Sequence, residues 1–424
     1  MRSIIIADDL TGACDTAMVM KHRDEQVCVC LPGYSVESVS NEISVWALDT
    51  GSRAFPVQEA YDLVFGIVSE LKKHRNEETC LYKKIDSVFR GNIASEIEAA
   101  AHAWGSPMVL LAPATPAHKR IVLDGCLFTH TKTRGIPLLP LLSFKKGPGY
   151  ESVNIKEVRK GADSLAVYIQ AMQRRGIYRI VVDGETEEDL RITAEASRKL
   201  GKDILLSGTS GFAKAVSREQ PEKGPASFIT KPCRRPVLLA LGSCSDVTKK
   251  QCRYLLGHSG TASVWISAKN CLQGQAEEEV ERACQECEKK LAKGLDALVI
   301  AVDSLKNGVL ADTKGTGANG EISNKLIVEA LGKVIQKMFE HYYFGAMLLS
   351  GGDTARQIFE MMGITSIELI CELLPGMPLA KVSSDKRNEI LLVTKSGGFG
   401  ETETFKRFFE LVTGREMTKE EKEE

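Results

Sequence analysis

IIIADDLTGACDTA, residues 4–17, reads as a short strand, a turn and the first part of a helix. Ile4 to Ala7 form an apolar run of strand length, and Asp8 and Asp9 follow it directly. Thr11 and Gly12 make the turn, and the helix carries Asp15. In open α/β sheets, ligands bind outside the carboxyl ends of the strands. Two successive carboxylates at such an end can accept a hydroxyl proton or hold a divalent ion. A plainer role is also open, since Asp9 can cap the helix through its backbone amides. A cap accounts for one aspartate but not for two in succession.

The same alternation continues outward from this stretch. Strands are expected at 27–31, 43–48, 108–112 and 179–182, with helical patterns between them, such as 57–73 and 95–103. Alternating strands and helices predict an α/β fold with largely parallel, helix-covered sheets. The pattern breaks at EQPEKGPASFITKPCRRP, residues 219–236, where four prolines and mixed charge mark a linker or crossing segment. Strands resume at 237–241, 262–266, 295–302, 346–349 and 390–393. The chain is therefore cut near residue 230, into domains 1–230 and 231–424. Its 424 residues exceed the size at which one core stops growing, which agrees with two domains. The closing MTKEEKEE is expected to be a frayed helix end with nothing to bury.

Composition narrows the function. The formal net charge of −1 argues against nucleic acid or an anionic membrane as main partner. No apolar run approaches the roughly 20 residues that span a bilayer, and no secretory signal is read, so a cytoplasmic protein is expected. Of twelve cysteines, Cys28 and Cys30 share one strand face, and Cys284 and Cys287 form an isolated C-x-x-C. Without a second ligand pair, structural thiols are the better reading than zinc.

Two further turns in the first half carry charge. YKKIDSVFRGN places Lys83, Lys84, Asp86, Ser87 and Arg90 just before a helix. A cationic loop at a helix start suits an anion, although local Asp86–Arg90 pairing on a solvated surface is an equal alternative. LAPATPAHKR ends in Lys119 and Arg120, and DTGSR brings Arg53 to another strand end. Basic groups at three strand ends and paired acids at a fourth fit an acidic small molecule whose hydroxyl must be activated.

The second half offers glycines instead. Gly242, Ser243 and Ser245 lie between a strand and a helix, as do Gly351, Gly352, Asp353 and Thr354. Gly397, Gly398 and Gly400 follow a third strand. Glycine lets the backbone approach a phosphate, and a helix start favours its charge, so a nucleotide is expected here. No G-x-x-x-x-G-K-[ST] occurs. Gly315, Gly317 and Gly320 satisfy G-x-G-x-x-G, but no strand runs directly into them, as dinucleotide binding requires. They read as a loop before a helix at 321–339.

With these residues in view, the sequence resembles the four-carbon acid sugar kinases, which act on D-threonate, D-erythronate and 3-oxo-tetronate. ADDLTGA, KKIDSxxRGN, PAxPxxxR, GSCSxxTxxQ, GGDTA, LPGMPLA at 374–380 and KSGGFG occur in order along nearly the whole chain. The resemblance implies a sugar-acid domain, an ATP domain and an active site in the cleft between them. Carried onto this sequence, Asp9, Arg53, Lys84, Asp86, Ser87 and Arg90 are the substrate-side group. Ser243, Ser245, Gly351 to Thr354 and Gly397 to Gly400 are the ATP-side group. Val88-Phe89 stand where Thr-Leu is common, and Lys119 where glycine is frequent, so the exact substrate is less defined than the reaction.

The expected chemistry is phosphoryl transfer from ATP to a terminal hydroxyl of a tetronate-like acid. Arg53, Lys84 and Arg90 would hold the carboxylate, and Asp9 would take the hydroxyl proton, while Mg²⁺ bridges the phosphates. Asp8 or Asp86 could share the role of base or metal ligand. Domain closure would limit ATP hydrolysis by water. The alternatives are a nicotinamide-dependent hydroxy-acid dehydrogenase, which needs the Gly315 motif, and a non-catalytic sensor, which has no use for paired acids. A homodimer is possible.

Overall fold

The computed structural model describes residues 2–22, 25–34, 43–76, 78–129, 132–144, 149–217, 232–307, 318–382 and 390–418. The chain divides into two compact units, Met1–Glu222 and Lys223–Glu424. The boundary expected near residue 230 lies outside the described residues.

The strands of the first unit are β1 (Arg2–Ala7), β2 (Gln26–Cys30), β3 (Ile43–Asp49), β4 (Thr79–Lys84), β5 (Met108–Ala112), β6 (Arg120–Leu123), β7 (Cys126–Thr129), β8 (Lys132–Pro137), β9 (Glu151–Val153), β10 (Arg179–Val182) and β11 (Ile204–Gly208). Its main sheet runs β2-β3-β1-β4-β11-β5-β10-β9 with parallel neighbours. Helices cover parallel sheets on both faces, so their strands read as unbroken apolar runs rather than alternating ones. Ile4, Ile5, Ile6 and Ala7 are accordingly all fully buried. The sulfurs of Cys28 and Cys30 lie 3.9 Å apart on one buried face of β2.

A separate antiparallel sheet, β6-β7-β8, was not foreseen. LAPATPAHKRIVLDGCL reads as a loop after β5, yet Asp124-Gly125 closes a two-residue hairpin within it. Asp124 and Gly125 have φ of 48° and 67°, as such a turn requires. Buried Asp183 secures it by accepting from the backbone amides of Asp124 (2.6 Å), Gly125 (3.0 Å) and Ile155 (3.2 Å).

The second unit contributes β12 (Val237–Leu241), β13 (Thr261–Ile266), β14 (Ala297–Val302), β15 (Ala346–Ser350), β16 (Ser366–Leu374), β17 (Met377–Val382) and β18 (Ile390–Lys395). Its order is β13-β14-β12-β15-β18-β17-β16, parallel as far as β18 and antiparallel beyond. The LPGMPLA stretch is the tight β16–β17 hairpin, turning at Pro375-Gly376. Phe405, Phe408, Phe409 and Met417 fill the core beneath this sheet, so the expectation that the last eight residues bury nothing fails at Met417. Gly315 and Gly317 lie outside the described residues, and the following helix starts at Ala318, three residues before its expected start. No helix among the described residues is long and apolar enough to cross a membrane.

Candidate active site

In the first unit the strand order puts β3, β1 and β4 side by side. The chain leaves β1 towards β2 on one side of the sheet, and leaves β4 towards β5 on the other. Neighbouring strands whose connections diverge leave a crevice at their carboxyl ends, the favoured ligand position in such sheets. Asp8 and Asp9 follow β1, and Lys84 to Asp86 end and follow β4. Arg53 follows β3, carried on a short 3-10 turn, Ser52–Ala54. Gly51, with φ of 59°, starts that turn and gives its amide to Asp49 Oδ1 at 2.8 Å.

Arg53 is the hub. Its Nε and Nη2 grip Asp8 at 2.7 and 3.0 Å, and Nη1 reaches Asp9 Oδ2 at 2.9 Å. Nη2 also lies 3.6 Å from Asp86. Asp86 is closed off further: Arg90 pairs with it at 2.7 Å, and the amides of Val88 and Arg90 donate to its Oδ1 at 3.1 and 3.0 Å. Burial raises the Asp86 carboxyl, but the Arg90 side chain and amide, together with Arg53, bring its pKa down to about 2. Burial likewise pushes Asp8 up, and Arg53, then Lys83 and Lys84, hold it below its usual value. Asp9 is different. Its Oδ1 accepts one amide, Gly12 at 2.9 Å, and its Oδ2 takes Arg53. A carboxylate has about four acceptor positions, so Asp9 keeps spare capacity, with its side chain 30% exposed.

The capping role holds for Asp9, on the helix Leu10–Met20, while Asp8 anchors the arginine. In the loop after β4 the local-pairing alternative is what the structure contains. Asp86 and Arg90 do pair, but around a buried carboxylate rather than on a solvated surface. Arg53 and Arg90, expected to face a ligand carboxylate, thus already engage aspartates. Lys84 is buried, with its ammonium on the Ile85 carbonyl at 2.9 Å. A Cβ added at Gly12 would lie 2.6 Å from Asp9 Oδ1 and 3.0 Å from Lys84 Nζ, so glycine there leaves the space between them open. Ser87 accepts a hydrogen bond from Arg120.

Glu96 was missed by sequence reasoning. Fully buried, it accepts from Ser52 Oγ at 2.6 Å and pairs with Lys83 at 2.8 Å, joining the Arg53 turn to β4 from below. Nothing in SEIEAA separates it from an ordinary exposed helix glutamate; only the buried lysine preceding Lys84 hints at a partner.

The second unit repeats the arrangement. β12 and β15 are neighbours with diverging connections, and β18 lies beside β15. Leu241, Ser350 and Lys395 stand in one row across these strands, so their three turns begin together. Ser245 caps the helix Asp246–Leu255 by accepting from Thr248. The Gly397 carbonyl receives the hydroxyls of Ser245 and Thr248, the latter at 3.0 Å, and the Lys395 ammonium at 3.3 Å. Gln251 holds the carbonyls of Phe399 and Glu401 at 3.0 and 2.9 Å. A Cβ at Gly242 would fall 1.9 Å from Thr354 Oγ1, and one at Gly397 would fall 1.8 Å from Ser243 Oγ. Gly351, Gly352 and Asp353 open the helix Gly352–Met361, and Gly400, with φ of 82°, meets Thr404. A Cβ at Gly398 meets nothing within 4 Å. Lys395 was not foreseen. It is buried, its amine donates to the Ser396 carbonyl at 2.8 Å, and burial pushes its pKa down to about 8.

Among the described residues, no group of three or more His, Cys, Asp or Glu side chains is placed to hold a metal. Mg²⁺ commonly sits on substrate phosphates with only one or two carboxylates, and Asp9, with acceptor capacity to spare, fits that donor set.

Comparison with known proteins agrees with this division. A family described as "Sugar-binding N-terminal domain" matches residues 3–216, and one described as "Nucleotide-binding C-terminal domain" matches residues 238–405. The D-threonate kinase of Salmonella typhimurium is 29% identical, over 95% of this chain and 96% of that one. The 3-oxo-tetronate kinase of Pectobacterium atrosepticum is 24% identical, over 95% and 97%. The D-erythronate kinase of Heliobacterium modesticaldum is 23% identical, over 94% of each. A crystal structure of a Haemophilus influenzae protein has the same fold, with a TM-score of 0.71, 22% identity and coverage of 97% and 99%. The chain belongs to the four-carbon acid sugar kinase family, with a sugar-binding N-terminal domain followed by a nucleotide-binding C-terminal domain.

Proposed function

We propose that this protein transfers the terminal phosphoryl group of ATP to the terminal hydroxyl of a four-carbon sugar acid of the threonate, erythronate or 3-oxo-tetronate type. The observation that carries the reading is the unequal use of the three carboxylates around Arg53. Asp86 is filled by four donors and Asp8 is only 3% exposed against Arg53, whereas Asp9 takes two donors and is 30% exposed at a sheet crevice. A general base must be able to accept one more proton-bearing group. Asp9 is therefore the base that takes the proton of the attacking hydroxyl.

Lys84 lies beside it and supplies positive charge where negative charge gathers on the transferring phosphoryl group. Arg53 fixes the acids, so that Asp9 is presented in one orientation, as positioning-dominated chemistry requires. On the nucleotide side, Ser243, Ser245, Gly351 to Thr354 and Gly397 to Gly400 would receive the phosphates, with helix starts adding partial positive charge. Mg²⁺ would be held by those phosphates and would neutralise their charge, leaving Asp9 free to act as the base.

The test is ADP release with ATP and Mg²⁺ against D- and L-threonate, D- and L-erythronate and 4-hydroxythreonine. Turnover with one of them supports the reading and names the acceptor. Silence across the panel, with ATP still bound, would keep the nucleotide assignment and discard the sugar-acid one.

A further inference from the structure

The charges around Arg53 cancel. Asp8, Asp9 and Asp86 face Arg53, Arg90 and Lys84, and Lys83 is matched by Glu96. A neutral cluster has no net attraction for the carboxylate that distinguishes a sugar acid from a sugar. Arg120 stands apart from this balance. Among the described residues it forms no ion pair, one of its terminal N–H groups goes to the Ser87 hydroxyl, and its Nε is buried with no acceptor. A buried donor left unmatched is costly, and an arriving anion that neutralises the guanidinium offsets that cost.

The backbone holds Arg120 in place. Thr115 and Arg120 exchange two hydrogen bonds, of 2.7 and 3.2 Å, closing the PAHK turn. Lys119 adopts a left-handed φ of 55° immediately before the arginine. That conformation strains a residue that carries a side chain, and strain of this kind persists where the surrounding structure imposes it. Ser87, for its part, accepts from Arg120 and keeps its own O–H to donate. It sits one residue from Asp86, on the loop that follows β4.

We infer that Arg120 and Ser87 form the carboxylate subsite of this enzyme, with a guanidinium N–H and the serine O–H both donating to the acid group of the substrate. This assignment rests on the sugar-acid kinase reading. It gives Arg53 and Arg90 to the aspartates and makes Arg120 the residue that selects acids over neutral polyols.

The test is steady-state kinetics of full-length Arg120→Gln, Arg120→Lys and Ser87→Ala, with the four-carbon acid and with the matching polyol, in which CH₂OH replaces the carboxylate. Arg120→Gln is expected to lower kcat/KM for the acid about a hundredfold, with KM for ATP unchanged. Turnover of the polyol should stay near wild type, so the preference for acid over polyol collapses. Arg120→Lys should restore part of that preference. Ser87→Ala, which removes one hydroxyl, should reduce the preference about tenfold and keeps the question decidable if Arg120→Gln folds poorly. Equal losses on acid and polyol would make Arg120 a structural residue and overturn the assignment. A wild-type protein that phosphorylates no four-carbon acid would remove the functional reading and this subsite with it. Wild-type turnover that Arg120→Gln leaves intact would remove only the subsite.

Discussion

Asp9 and Lys395 are the residues at which charge and geometry make the sharpest demands. Asp9→Asn keeps an acceptor for the Gly12 amide, so the cap and the fold should survive. The variant should lower kcat about 10²–10⁴-fold, the usual contribution of a positioned base, while KM for ATP stays within about twofold. A variant with wild-type turnover would take Asp9 out of the chemistry. Lys395 gives a prediction in pH. Its pKa of about 8 arises from burial, so the ammonium loses its proton above that value. Stability runs one way: the cost of burying the charge is full below pH 8 and shrinks as pH rises towards the ordinary lysine value of 10.5. Nucleotide binding runs the other way, because the ammonium braces the Gly397 carbonyl and favours phosphate charge nearby. KM for ATP should rise roughly tenfold per pH unit above pH 8, and Lys395→Met should flatten that rise. A wild-type profile that stays flat from pH 7 to 9 would show that the ammonium plays no part in holding ATP.

At the scale of elements, the turns after β12, β15 and β18 work as one surface because their strands end in register. Three donors turn the Gly397 carbonyl inward, and across a trans peptide plane the next N–H points the opposite way. Gly398 therefore offers its amide outward. Gly398→Ala should leave the melting temperature unchanged, since its methyl meets nothing within 4 Å, yet raise KM for ATP if a phosphate lies against it. Gly397→Ala should lower both stability and ATP affinity, because its methyl collides with Ser243 Oγ at 1.8 Å. Unchanged ATP kinetics in Gly398→Ala would mean that phosphate binds elsewhere. These turns were legible in the sequence because glycine between an apolar run and a helix has few other uses. Parallel strands such as 108–112 and 237–241 were legible to the residue, since burial on both faces makes them continuous apolar runs. The β6–β8 sheet was not, although Asp124-Gly125 is a strong hairpin signal: the prolines before it draw the whole stretch into a loop reading. Long-range pairs were hidden for a different reason. Glu96 with Lys83, and Arg53 with Asp8, are separated in sequence and joined only by strand order, which no local pattern encodes.

At the scale of the molecule, the two units each build a crevice where neighbouring strands send their connections apart, and each crevice carries a different chemistry. One holds paired acids and arginines; the other holds glycines, hydroxyls and a lysine. Ligands that bind the folded state stabilise it by about 2.7 kcal/mol at a hundred times Kd, and in a two-unit chain that gain need not be shared. ATP should therefore slow amide exchange at 242–251, 350–354 and 395–400, and leave 8–12 and 50–53 close to their free rates. The four-carbon acid alone should slow exchange at 8–12, 50–53 and 84–92, and leave the glycine turns unaffected. Hydrogen exchange read by mass spectrometry distinguishes these segments in a single digest. If ATP protects the Asp8–Gly12 turn in the absence of the acid, the nucleotide reaches the acid-rich crevice, and the assignment of one ligand to each unit must be withdrawn. If each ligand protects its own turns alone, the two crevices bind independently, and chemistry begins only when both are filled.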